Sequence, residues 1–208
     1  MTDNEELKSG ESADDDGAMS LIEHLEELRW RLIKMIAAVT VTSTISYFFV
    51  EDFIRLITSP VGKLYYMNPT EAFFAYIKVS IFVGFLFALP VVMHQVWAFT
   101  VPALTQNERQ AGIYLVPSSL LFFFLGLAFS YFLVLPVGIR FFMGFATENL
   151  QPLFSLGDYI TFVITFLLPF GLVFELPLVI LVLAKFGIID SEYLVAKRKH
   201  VLVMSFVI

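Results

Sequence analysis

The sequence predicts an all-α polytopic membrane protein, a bundle of kinked transmembrane helices. Of its 208 residues, 58% are apolar and only 15% charged, well under the roughly 25% charged residues of a soluble domain. Four apolar runs are each long enough for a bilayer core of about 30 Å, which takes about 20 residues at 1.5 Å per residue. Prolines inside these runs remove backbone hydrogen bonds and bend the rods; Pro90, Pro136, Pro169 and Pro177 each follow a leucine there. The absence of cysteine excludes a disulfide framework, a thiolate metal site and a thiol nucleophile.

Residues 1–18 hold seven acids (Asp3, Glu5, Glu6, Glu11, Asp14, Asp15 and Asp16) and one base, Lys8. The rest of the chain holds 12 of each sign, so the net charge of −6 belongs to this segment. It reads as an acidic, solvated, disordered tail ahead of a membrane domain over residues 19–208. It has neither the positive start nor the apolar stretch of a cleaved signal peptide.

Ser20 and Glu23 then form the capping pattern S-x-x-E, and Leu21, Leu25, Leu28 and Leu32 follow at helical steps on one face. This predicts an amphipathic helix lying on the membrane surface. Its polar side aligns Glu23, Glu27 and Arg31 at i, i+4 and i+8, with Glu26 and Arg29 beside them. Two readings stand. Glu27 and Arg31 make a surface ion pair worth a few tenths of a kcal/mol, or the mutually repelling Glu23 and Glu27 receive a cationic ligand.

The first span covers residues 32–50, and its Thr40, Thr42, Ser43, Thr44 and Ser46 can bond their own helix carbonyls. Residues 51–57 set Phe53, Ile54, Leu56 and Ile57 among charges, the pattern of a short interfacial helix, which Pro60 ends. The second span covers residues 72–99. Near its end His94, Gln95 and Trp97 read as interfacial residues. A short loop with Pro102, Asn107, Glu108 and Arg109 follows. One acid and one base ordinarily mean a solvated turn, but this loop emerges on the same side as the amphipathic helix. Glu27 and Glu108 can therefore converge on one ligand, and two carboxylates suit two guanidinium groups.

The third span covers residues 113–139. Ser155, three residues before Asp158, offers a helix cap for the fourth span at residues 159–183. Within that span Glu175 lies about 24 Å from Tyr159 and about 12 Å from Leu183. A carboxylate at that depth costs a few kcal/mol, so it is functional, paired or neutral. Lys78, Arg140 and Lys185 stand near span ends and are expected to snorkel to the headgroups. A fifth run, residues 201–208, rises only about 12 Å and reads as the start of a helix in a fragment.

The short loops set the orientation. With the N-terminus cytoplasmic, that side holds nine Lys and Arg residues against four on the other, which favours N-terminus inside. No ligand cluster with metal spacing, glycine-rich phosphate loop or nucleophile elbow is present. Neither metal nor cofactor is expected.

Four stretches together resemble the TatC family, the multispanning core of the twin-arginine protein translocase. They are H-L-E-E-L-R at residues 24–29, Q-V-W-A-F-T-V-P-A-L-T-Q-N-E-R at 95–109, S-S-L-L-F-F-F-L-G-L-A-F-S-Y-F at 118–132 and F-G-L-V-F-E-L-P at 170–177. The resemblance implies a glove-shaped, six-span protein of the cytoplasmic membrane. In this chain it has four complete spans and the start of a fifth. It implies a receptor for signal peptides with paired arginines, in export of folded proteins driven by the proton-motive force. Glu27 and Glu108 would then recognise the arginine pair, while the peptide's apolar stretch enters the membrane groove. Arg29, Phe99, Arg109 and Pro60 match other functionally sensitive positions. Glu175 matches an acid on the concave side associated with the single-span partners TatA and TatB. Gln110 and Trp30 depart from the family's basic residues at those positions and make the surroundings more negative.

Two other classes compete on the residues alone. A secondary transporter of a small solute would use Glu175 as its proton or cation site, but paired repeats and broken midplane helices are not evident. An intramembrane enzyme lacks a nucleophile and base pair.

Overall fold

The structure is a computed structural model and describes residues 3–62, 64–100, 112–147 and 153–185. Its described residues are almost entirely helical. The elements are α1 (Asp3–Tyr47), α2 (Val50–Thr58), α3 (Pro69–Thr100), α4 (Gly112–Phe129), a π-helical turn (Ser130–Val134), α5 (Leu135–Met143) and α6 (Leu156–Lys185). Three stretches, Pro69–Phe99, Tyr114–Met143 and Leu156–Ala184, are long and apolar enough to cross a bilayer, and α1 with α2 make a fourth if counted as one bent span. The anticipated start of a fifth helix at residues 201–208 lies outside the described residues.

The amphipathic segment and the first span are one helix. No glycine or proline interrupts the chain from Met19 to Tyr47, so helix already formed propagates without a new nucleation cost. Ser20 is therefore an interior residue and not the helix start that its capping pattern suggests. The helical backbone also reaches back to Asp3, through the stretch whose composition reads as disordered. Along the span Thr40 and Thr44 donate to the carbonyls of Ile36 and Thr40 at 2.8 Å, as their spacing predicts.

The sharp bend falls where no proline stands. At Phe48 and Phe49 the chain turns by 83° into α2, through short-range bonds from Phe48 N–H to Ile45 O and Phe49 N–H to Ser46 O. The first span thus ends at Tyr47, short of the anticipated Val50. Prolines 90, 117, 169 and 177 lie inside continuous helices. Pro136 instead sits in the first turn of α5, after the π turn in which Leu135 N–H reaches back to Ser130 O. The missing proline N–H and its ring displace the normal ladder there.

The bend lays the apolar face of α2 on the core: Val50 and Ile57 are buried, and Phe53 and Ile54 pack against the same cluster. Two tyrosines then hold its last carbonyls. Tyr131 donates to Leu56 O at 2.8 Å and Tyr159 to Ile57 O at 2.9 Å. The Tyr159 bond is buried, so Tyr159→Phe strands a buried acceptor and is expected to lower stability by about 1–3 kcal/mol. Tyr131→Phe, at an exposed bond, should cost less. Thermal unfolding of both variants checks the order, and equal losses would contradict it.

The connections at the α2 end are stitched together. Tyr65 exchanges backbone bonds with Phe154 and Leu156. Glu71, in the first turn of α3, accepts from Met67 N–H and Gly157 N–H, each at 2.8 Å, and from the Ser155 hydroxyl. Ser155 also caps Asp158 N–H at 3.4 Å, the role its sequence position predicts.

Helices in lipid gain little from apolar association itself, so close approach and hydrogen bonds hold them. At the α1–α3 crossing a Cβ on Gly84 would lie 2.4 Å from the Ser43 backbone. Thr42 donates to Gly84 O there at 2.7 Å. At the α4–α6 crossing a Cβ on Gly126 would lie 2.5 Å from Phe170 O. Phe123, Leu89, Leu135, Ile160, Val79 and Val163 fill the centre between α3, α4, α5 and α6.

Candidate functional site: the polar end of the α1–α3 pair

At the end opposite α2, α1 runs beside the last turns of α3. The His24 ring stacks on Phe99, with centroids 4.4 Å apart and planes at 20°. One turn along α1, Glu27 Oε1 accepts from Arg31 Nε at 3.0 Å and from Nη2 at 2.5 Å. Arg31 also donates through Nη1 to Gln95 Oε1 of α3 at 3.4 Å. The surface ion pair weighed from the spacing is therefore formed, and it is tied across to α3. Both arginine bonds use a single oxygen. The other, Oε2, has His24 Nδ1 4.0 Å away and remains able to accept from a further donor. The Glu27 side chain keeps 37% of its exposure and Arg31 only 19%, so the carboxylate faces outward with its own cation behind it.

Arg29 is exposed and makes no ion pair among the described residues. Glu108 and Arg109 lie outside the described residues, as do Pro102, Asn107 and Gln110. The chain passes into that connection directly after Thr100, one residue beyond the Phe99 that stacks on His24. Pro60 sits exposed in the turn after α2, at the opposite end of the bundle from Glu27. It belongs to the stitched connections, not to the polar strip.

Glu175 is 8% exposed. Its carboxyl lies between helices, beside the Ser119 hydroxyl and the Phe123 backbone of α4. One of its oxygens, Oε1, has no hydrogen-bond partner. Ser119 in turn accepts from Trp97 Nε1 of α3 at 2.8 Å, so α3, α4 and α6 share one buried polar chain. Trp97 is thereby corrected from an interfacial belt residue to a buried donor, because its indole N–H finds a hydroxyl partner inside the bundle. Glu175 is likewise turned toward α4 among the described residues. Sequence reasoning missed this chain; its local signal was the serine pair Ser118 and Ser119 in an otherwise apolar run.

The site offers an outward carboxylate, a stacked imidazole and phenyl pair, and an exposed arginine at one membrane end. Among the described residues, no side-chain arrangement here resembles a nucleophile with its base. It is suited to binding a cation.

Comparison with known proteins gives consistent results. The family model described as Sec-independent protein translocase protein (TatC) matches residues 23–208. The chain is 38% identical over 198 residues to the Sec-independent protein translocase protein TatC of Carboxydothermus hydrogenoformans, covering 93% of this chain and 82% of that one. It is 41% identical over 198 residues to the TatC protein of Aquifex aeolicus, covering 91% and 82%. A solved structure described as the twin arginine translocase receptor TatC matches with a TM-score of 0.77 and 40% identity, over 88% of this chain and 84% of that one.

Proposed function

This chain belongs to the TatC family of Sec-independent protein translocase proteins, a multi-pass membrane family that transports proteins and is not enzymatic, and from that membership we propose that it is the receptor for twin-arginine signal peptides. One guanidinium of the peptide bonds Glu27 Oε2, the oxygen that Arg31 leaves open. The second meets Glu108 in the connection that follows Phe99. Guanidinium groups stack on aromatic faces, so the His24–Phe99 pair offers an adjacent platform. The apolar stretch of the signal then enters the bilayer beside the bundle. The receptor acts as the scaffold on which TatA and TatB type subunits assemble, and export draws on the proton-motive force. It sits in the cytoplasmic membrane with its N-terminus and the Glu27 end facing the cytoplasm, in agreement with the distribution of Lys and Arg.

The observation that carries this reading is the His24–Phe99 stack. It joins the turn of α1 that bears Glu27 to the end of α3 from which the Glu108 connection departs. A photoreactive residue in place of Gln110, two positions from Glu108, is expected to crosslink to the arginine region of a twin-arginine peptide. Affinity should also fall as salt rises, because exposed charge contacts are screened within about 8–10 Å at moderate ionic strength. Crosslinks confined to the apolar stretch, with salt-independent affinity, would reject the assignment.

A further inference from the structure

An elongated groove of about 530 Å³ opens on the bundle between α3 and α6, with Val39 of α1 at its edge. Its walls are apolar, from Ile81, Phe82 and Phe85 on one side to Ile164, Leu168 and Leu172 on the other. The single charged residue lining it is Lys78. Lys78 Nζ donates to Thr161 Oγ1 at 2.9 Å, and that hydroxyl already donates to Gly157 O at 2.7 Å. Among the described residues Lys78 has no carboxylate partner. A cation in this position calls for an anion.

Two dimensions identify the anion. Side chains on a helix lean toward its N-terminus, which for α3 is the α2 end, so the ammonium points toward the headgroups of that leaflet. From Thr161 to Leu172 the groove wall runs about 16 Å along α6, close to the hydrocarbon depth of one leaflet. A ligand that is anionic at the Lys78 end and apolar for one leaflet's depth has the form of an acidic lipid.

We propose that this groove holds one anionic phospholipid of the leaflet at the α2 end, its phosphate on Lys78 and an acyl chain laid along Phe85, Ile164 and Leu168. This site stands apart from Glu27 and does not depend on the signal-peptide reading. The lipid phosphate pairs a cation that has no carboxylate partner among the described residues, and its acyl chain covers an apolar wall that no helix of the described residues fills.

The test uses the full chain in phosphatidylcholine vesicles containing a minor fraction of spin-labelled phosphatidylglycerol, with motionally restricted label as the readout. The wild type should restrict phosphatidylglycerol about fivefold more strongly than spin-labelled phosphatidylcholine, the order of one lysine near the surface. Lys78→Gln should bring the two lipids to parity, and Lys78→Arg should keep the preference. Ile164→Trp should fill the groove and remove the restricted phosphatidylglycerol while leaving Lys78 in place. Retention of the preference in either Lys78→Gln or Ile164→Trp would overturn the proposal. So would a photoreactive residue at position 164 that crosslinks only to protein, the result expected if a helix occupies the groove. If Lys78→Gln does not fold, the Ile164→Trp comparison decides alone.

Discussion

Reversing Glu108 to Lys is expected to weaken binding of a twin-arginine peptide by at least about 100-fold. Losing a charge-assisted hydrogen bond costs about 1.5–3 kcal/mol, and placing a like charge against a guanidinium adds several kcal/mol of repulsion. Glu27→Gln should weaken binding by only about tenfold. The amide oxygen can still accept from Arg31, whose bonds to Glu27 and Gln95 link α1 to α3, so this substitution removes charge while sparing the local structure. Glu51→Lys, on α2 at the opposite end of the bundle, should leave affinity unchanged. Titration of a labelled twin-arginine peptide against the protein in nanodiscs measures all three. Unchanged affinity in Glu108→Lys would remove Glu108 from the receptor site, and equal losses in Glu27→Gln and Glu51→Lys would point to a general surface-charge effect.

Gly84→Leu should cause the largest loss of stability. A Cβ at this position meets the Cα and N of Ser43 at 2.4 and 2.5 Å. Because these are backbone atoms, no rotamer change relieves the contact; α1 must move away from α3. That movement would also break the bond from Thr42 to Gly84 O. Overpacking commonly costs 1–3 kcal/mol, and a clash with backbone should lie at or above the upper end, about 3 kcal/mol. For a chain of this size that corresponds to a fall in Tm of about 6–12 °C. Gly138→Ala is the control, since its Cβ would meet only the tip of the Phe162 ring, at 3.3 Å. A thermal unfolding series by size-exclusion chromatography checks the pair. An unshifted Tm for Gly84→Leu would mean that α1 and α3 do not cross at Ser43.

Much of the site was legible because its chemistry is local. Glu27 and Arg31 stand four residues apart on a helix, and that spacing alone predicts the ion pair that forms. The stacking of His24 on Phe99 was not legible, because the two residues belong to different helices and the stack exists only once α1 lies against α3. The Ser20 capping pattern misled for the opposite reason. A cap pattern marks a helix start only where the chain before it is not helical, and here helix continues through it.

Three of the apolar spans, the short helix α2 and the cap at Ser155 follow from runs and spacings within a few residues, and so could be read from the sequence alone. The bend at Phe48, the tyrosine bonds to the end of α2 and the burial of Trp97 and Glu175 were decided by which helix faces which. The cause is the solvent. In water, apolar periodicity marks the face of a helix that turns inward, but a bilayer solvates every apolar face alike. Phe132 and Phe141 stay exposed while Phe123 is fully buried, and their residue type carries no sign of the difference. What marks the inward face among the described residues are the exceptions: glycines pressed on backbone, hydroxyls bonded across helices and the buried carboxyl group of Glu175. Those become informative only when the partner helix is in place.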